Sequence, residues 1–352
     1  MFEAVGNIHI HTPYSDGTSW HQEIAEDAIK AGLDFIIVTD HNLWVSGIEG
    51  YYENDQGRVL LLIGEEVHNP RREPQASHFL AIGADKELAP FAHDTQSLIK
   101  ETQDAGGSGF LAHPFDLTAP AFNVPSLSWH DWGVNGYQGL ELWNFMSSFK
   151  GLLTTRTKAV RAALQPDKYM TGPSPQLLNK WDELLSQGSR LVAIGGSDAH
   201  GMSYSMWLIT RQIYPYEFLF RTVNTHILSS SELTGDYEHD KNQVLKSISA
   251  GHCWVGYDLP GSTTGFRFNV QGQTTGIMGD EITLGMGATL QVRAPKICHI
   301  RLIHHGEVVA DCLNDTNLTF IPSETGPYRA ECLLQHKGQE RGWIYSNPIY
   351  LV

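Results

Sequence analysis

The chain has 352 residues, of which 41% are hydrophobic and 18% charged, which supports a core-building domain of roughly 250 residues plus a smaller one and excludes wholesale disorder. Its 24 Lys and Arg against 39 Asp and Glu leave a net charge of -15, which argues against the basic stripe that duplex nucleic acid requires. No apolar run approaches the ~20 residues needed to span a bilayer, and the first residues lack a basic and apolar leader, so a cytoplasmic protein without a membrane partner is expected.

Through the first two thirds, short apolar runs rich in β-branched residues alternate with amphipathic stretches, the pattern of βα units feeding a parallel sheet. Val5 to His11 reads as the first strand. Ser19 with Gln22 forms a capping-box pattern, Ile24, Ala25, Ala28 and Ile29 make one helical face, and Gly32 sits where a C-cap belongs. Phe35 to Thr39 is the second strand. Val59 to Ile63, His78 to Ile82, Phe110 to Ala112, Gly139 to Trp143 and Leu191 to Ile194 follow, about seven candidate strands in all. Two long irregular intervals, Asn69 to Ser77 and Asp116 to Gln138, are expected to be functional lids or walls.

After Asp258 the texture changes to short alternating segments, Thr289 to Val292, Cys298 to Ile303, Leu318 to Ile321 and Tyr328 to Leu334. That pattern predicts an antiparallel β-sandwich, so two domains are expected, residues 1–258 and 259–352. Cys253, Cys298, Cys312 and Cys332 show no Cys-x-x-Cys pair and read as buried or inert thiols.

Charge and histidine are unevenly divided. Residues 1–260 hold a net charge of -14 and 13 of the 17 histidines, so the acidic part is also the part rich in cation ligands. His9 and His11, two apart on a strand, leave the same face about 7 Å apart. Asp40 and His41, Glu65 and Glu66, His113, and Asp198 and His200 follow later strands, and Glu141 lies on one. A βα barrel gathers its strand C-termini at one mouth, where such residues converge. The plainer account, N-caps and polar loop groups, suits Asp40 but not five histidines at strand ends. There is no Gly-x-Ser-x-Gly, no phosphate-binding Gly-x-x-x-x-Gly-Lys, no His-Glu-x-x-His and no strand-linked Gly-x-Gly-x-x-Gly.

His9-Ile10-His11 with Tyr14-Ser15-Asp16-Gly17, Thr39-Asp40-His41, Gly64-Glu65-Glu66-Val67, Ala112-His113-Pro114 and Ser197-Asp198-Ala199-His200 resemble, in order and spacing, the motif series of the PHP family, named for polymerase and histidinol phosphatase domains. The resemblance covers about residues 5 to 255. It implies an α/β fold, a distorted seven-stranded βα (TIM-like) barrel followed by the small all-β domain, with two or three divalent ions at the barrel mouth. It implies one ion on His9, His11, Glu66 and Asp198, a second sharing Glu66 with His78 and His113, and a third on Asp16, His41 and His200. Glu66 is preferred over Glu65 because the family pattern is Gly-x-Glu and alternation sends the two to opposite sides. Asp198, His200 and His41 are the candidates for a direct catalytic role, and Glu141 matches a recurrent family glutamate that binds metal or substrate. The segment from Ile213 to His226 and the closing Ser346-Asn347-Pro348 resemble the carbaryl-hydrolase-like branch, which raises carbamate or carboxylic ester cleavage as an alternative.

Asp16, Glu66 and Asp198 carry three negative charges against six on three divalent ions, so a filled site would attract phosphate. Mixed imidazole and carboxylate ligation suits Zn, Mn or Fe. The expected reaction is hydrolysis of a small phosphorylated metabolite or nucleotide by a metal-activated hydroxide. Arg71 and Arg72, and further along Arg156, Lys158 and Arg161, are candidates for phosphate contact, and His226, with Arg221, either lines the mouth and binds substrate or buttresses the barrel. A non-catalytic metal-binding sensor is the competing class.

Overall fold

The structure is a computed structural model that describes residues 1–206 and 209–352, with side chains described outside 203–211. Seven strands close into a ring: β1 (Phe2–Ile10), β2 (Phe35–Val38), β3 (Gly57–Val67), β4 (Phe79–Ile82), β5 (Ser108–Leu111), β6 (Gly139–Asn144) and β7 (Val192–Ala199). Each pairs with the next in chain order, and β7 pairs back onto β1. All pairings are parallel except those of β4, which runs antiparallel to both neighbours. A hairpin strand, Gly50–Asn54, lies outside the ring against β3.

Unbroken apolar runs form these strands because both faces of each are covered. Phe35 and Ile37 of β2 and Leu60 and Leu62 of β3 pack with Ile8, Leu80, Phe110 and Ile194 in the barrel interior. Their alternates, Ile36, Val38, Val59, Leu61 and Ile63, face outward against the helical layer. Helix α1 (His21–Ala31) presents Ile24, Ala25, Ala28 and Ile29 to that layer. It begins one residue later than the Ser19 pattern predicts, because the carboxylate that reaches back is Glu23, which accepts from the Trp20 N–H at 3.0 Å. Gly32 closes it in the left-handed conformation, φ 82°. Helices α2 (Thr95–Asp104), α3 (Phe145–Leu152) and α4 (Arg156–Leu164) follow. Among the described residues no helix is long and apolar enough to cross a membrane.

Beyond the ring, β8 (Val223–Ser229) pairs antiparallel with the first half of β1, and β9 (Cys253–Tyr257) with β8. The C-terminal region is an antiparallel β-domain built on β10 (Thr289–His304), β11 (Glu307–Phe320), β12 (Gly326–His336) and β13 (Gln339–Ser346). Two segments expected as separate strands, Thr289 to Val292 and Cys298 to Ile303, belong to the single strand β10, which shifts register between Arg293 and Cys298. The domain has its own core, including Leu290, Ile300, Leu302, Ala330 and Ile344. β13 also pairs with β9, so hydrogen bonding runs unbroken from barrel to β-domain. All four cysteines are free thiols, three of them buried.

Candidate metal centre

The alternation that seats Leu60 and Leu62 inside the barrel continues up β3 and turns Glu66 inward and Glu65 outward. Glu65 accepts the backbone N–H groups of Leu88 (2.7 Å) and Ala89 (3.0 Å), which anchors the turn Ala89–Phe91. Burial pushes its carboxyl up to about 7 despite those two donors. Glu66 stands among five imidazoles. Its Oε2 lies 3.0 Å from His9 Nε2, 3.3 Å from His11 Nε2 and 3.0 Å from His41 Nδ1. Its Oε1 lies 2.8 Å from His78 Nδ1 and 3.1 Å from His113 Nε2. Burial alone would raise this carboxyl, but the imidazoles hold it well below the usual carboxylate range.

His9 and His11 reach the same side through a bulge. β1 pairs with β7 at Ile8 and Ile10 with a register shift between them, and His9 has φ 81°. Ile8 therefore packs in the inner core and Ile10 in the outer one, while His9 and His11 both face the mouth. His113 (φ 31°) and Asp198 (φ 56°) are also left-handed, so backbone strain gathers at this centre. His78 precedes its strand, whereas the other ligand types lie near the end of theirs or after it. The antiparallel run of β4 explains this, since it brings the start of that strand to the mouth.

Asp198 Oδ1 lies 3.3 Å from both His9 Nε2 and His11 Nε2, and 3.4 Å from His200 Nδ1. Asp16 Oδ1 faces His200 Nε2 at 3.1 Å, with His11 Nδ1 and His41 Nε2 at 3.7 Å. Burial would lower the His200 imidazole, but Asp16 and Asp198 raise it to about 9. Asp40 stays out of the cluster: it accepts from Thr12 N (2.8 Å), Thr12 Oγ1 (2.7 Å) and Ser15 Oγ (2.6 Å), and so fixes the turn that carries Asp16. Gly17 closes that turn where a Cβ would lie 2.1 Å from the His11 carbonyl oxygen.

These residues fit a cation. His78 Nε2 faces the Gln75 carbonyl at 2.7 Å and donates to it, and burial holds the ring below the usual imidazole range, so in the neutral ring the lone pair of Nδ1 points at the Glu66 carboxylate. Two acceptors in contact require a positive charge between them. His9 Nε2, His11 Nε2, His41 Nδ1 and Glu66 Oε2 are buried with no properly aligned hydrogen bond. Their separations, with Asp198 Oδ1, of 3.0 to 3.3 Å approach the edge of a tetrahedron whose arms are about 2.0–2.1 Å, roughly 3.3 Å. Four groups among the described residues could hold an ion: His9, Glu66 and His113; His9, His11 and Asp198; His11, Asp16, His41 and His200; and His41, His68 and His78.

Other expected residues are placed differently. Glu141 stands behind the cluster, with Oε1 at 3.1 Å from His9 Nδ1 and Oε2 accepting the His113 N–H at 2.9 Å, and so orients the His9 ring. Arg72 makes a double hydrogen bond to Asp131, both 3.0 Å, while the exposed guanidinium of Arg71 has no ion pair among the described residues. Arg156, Lys158 and Arg161 are exposed on α4. His226 is not at the mouth. It is buried at the barrel's junction with the β-domain, between Glu3 (3.3 Å) and Asp258 (3.0 Å), and stacks on Trp254. Burial opposes its charge, yet the two carboxylates raise it to about 9.

Two residues absent from the expected set belong to the centre. Asn144 Nδ2 donates to Glu141 Oε2 (3.0 Å) and Asp198 Oδ2 (3.2 Å), and its Oδ1 caps α3. His68 lies beside His41 and His78, and the signal for it was the spacing Glu66-x-His68, the same two-residue interval as His9-x-His11.

Among known proteins, a family model described as the PHP domain matches residues 7–272. An uncharacterized protein of Methanocaldococcus jannaschii is 28% identical over 120 residues, 31% of this chain and 67% of that protein. A crystal structure of a two-domain protein from Bacteroides vulgatus, described as containing a "predicted PHP-like metal-dependent phosphoesterase", aligns over 99% of this chain and 95% of its own at 16% identity, with a TM-score of 0.42.

Proposed function

This chain belongs to the PHP domain family, and from that premise we propose that it is a metal-dependent hydrolase, a phosphoesterase acting on a small phosphorylated metabolite or nucleotide. The observation that carries the reading is Glu66, whose two carboxylate oxygens face separate sets of imidazoles, His9, His11 and His41 on one side, His78 and His113 on the other. Residues 1–258 are the hydrolytic unit and 259–352 an attached β-domain.

Two or three ions of Zn, Mn or Fe, held by His9, His11, Asp16, His41, Glu66, His78, His113, Asp198 and His200, would supply Lewis-acid activation of water and charge compensation on phosphoryl oxygens. The chain's own residues do the positioning. Glu141 holds the His9 ring so that Nε2 faces the mouth. Asn144 holds Asp198 through Oδ2 and leaves Oδ1 toward the imidazoles. His41 and His200, facing Asp16 at the exposed rim, are the groups set to touch substrate. Arg71, exposed and without an ion pair among the described residues, is a guanidinium that an anionic substrate could use.

The state of the other basic groups favours a second reading. Arg72 is paired with Asp131, and Lys150 with Asp116, which takes two basic groups away from a phosphate. A carbamate or carboxylic ester demands fewer.

The test is a substrate panel of p-nitrophenyl phosphate, nucleotide monophosphates, and aryl carbamates and acetates, each with and without added Mn or Zn. The proposal expects metal-dependent release from the phosphates. Metal-dependent turnover of carbamates or acetates alone selects the second reading, and metal-independent activity or none overturns both.

A further inference from the structure

The chain leaves the mouth at Glu66 and returns to it at His78, and a third imidazole hangs on this excursion. His68 is 7% exposed, lies two residues beyond Glu66, and stacks on His78 with ring centroids 4.5 Å apart at 18°. It meets His41 edge-on at 5.0 Å. Ligand-capable nitrogens of His41, His68 and His78 fall within 4.8 Å of one another.

A buried imidazole normally has a partner for each nitrogen. Among the described residues the hydrogen-bond partner of the His68 ring nitrogens is the Asn42 side-chain amide, at 3.4 and 3.5 Å, where a hydrogen bond is weak. The Asn42 carbonyl oxygen accepts instead from the His68 backbone N–H at 3.0 Å, which fixes the base of the side chain and leaves its ring poorly satisfied. His78 and His41 point Nδ1 at opposite oxygens of Glu66, at 2.8 and 3.0 Å, so the space that His68 faces is bounded by three imidazoles and one carboxylate.

We infer that His68 is a further metal ligand, which joins His41 and His78 where their rings meet beside Glu66. The inference rests on the metal-centre reading and adds to it a residue outside the nine ligands named above. A donor set of three imidazoles and one carboxylate prefers borderline transition ions, Zn, Fe(II) or Co(II), and discriminates against Mg and Ca.

Titration of the full chain, stripped with a chelator, with cobalt(II) tests this by absorption spectroscopy. His68→Gln should weaken one class of cobalt site by at least about tenfold while the others keep wild-type affinity. In His68→Cys, cobalt should produce a thiolate charge-transfer band in the near ultraviolet that the wild type, with its four cysteines, lacks. That band decides the matter even where His68→Gln folds poorly. Superimposable titrations of wild type and His68→Gln, with no new band in His68→Cys, overturn the inference and leave the metal centre standing. A wild type that binds no cobalt overturns both.

Discussion

Glu65 and Glu66 are chemically alike and adjacent, yet one holds a turn and the other the centre of a histidine cluster, a division made by strand alternation alone. Glu65→Gln should therefore leave metal content unchanged and cost about 1 kcal/mol, since the amide keeps an acceptor for only one of the two backbone donors. Glu65→Ala strands two backbone donors and should cost roughly 2 kcal/mol, measurable by urea unfolding. A loss of metal in Glu65→Gln would show that the register of β3 is wrong. At this scale most of the cluster was legible, because His9, His11, His41, His113, Asp198 and His200 each end or follow a recognisable apolar run. His226 was not. Its partners Glu3 and Asp258 lie 223 and 32 residues away, and no local pattern reports a buried pairing of that kind. The bulge at His9 was equally invisible, since nothing in the residue types of β1 announces a left-handed histidine.

The two long loops act together. Besides the Arg72–Asp131 pair, Ser77 N–H donates to the Ser128 carbonyl at 3.2 Å and His130 N–H to Ser77 Oγ at 2.9 Å, so the segments expected as walls are pinned to each other. Asp131→Ala removes partners of both Arg72 and Thr95. Because the ion pair is partly exposed, the stability cost should be only about 1 kcal/mol, but tryptic cleavage after Arg71 or Arg72 should accelerate while metal content holds. Unchanged proteolysis would show that the loops are held some other way. Gly17→Ala should act locally too. The Cβ collision with the His11 carbonyl displaces the turn bearing Asp16, so metal held by the Asp16, His41 and His200 group should weaken ahead of the rest. Competition with a colorimetric chelator would resolve the two classes, and uniform weakening would contradict this. Strand positions were readable from apolar runs, but the direction of β4 was not, because such a run carries no polarity. That is why His78 begins its apolar run in the sequence and still falls into the cluster in the fold.

At the scale of the molecule, the barrel and the β-domain are joined by the β9–β13 pairing and by His226 between Glu3 and Asp258, with Glu3 also bonded to Arg267. His226 titrates at about 9 in the fold against 6.5 when exposed. A raised histidine contributes stability that is fully present below pH 6.5 and is lost as pH climbs through about 9. His226→Gln should cost roughly 3 kcal/mol at the acid end of that window and progressively less toward its alkaline end. Urea midpoints at both ends would show it, and a constant difference would contradict it. The joined sheet was not legible, because strand pairing between distant segments leaves no periodicity in either one. The central claim is that Glu66 unites two cation sites at one mouth. Bound metal per chain, measured by plasma mass spectrometry on desalted wild type and Glu66→Gln, tests it most directly. The account expects at least two transition ions in the wild type and about two fewer in the variant, with the two Glu66 sites lost together. A Glu66→Gln variant that keeps the wild-type complement would contradict it.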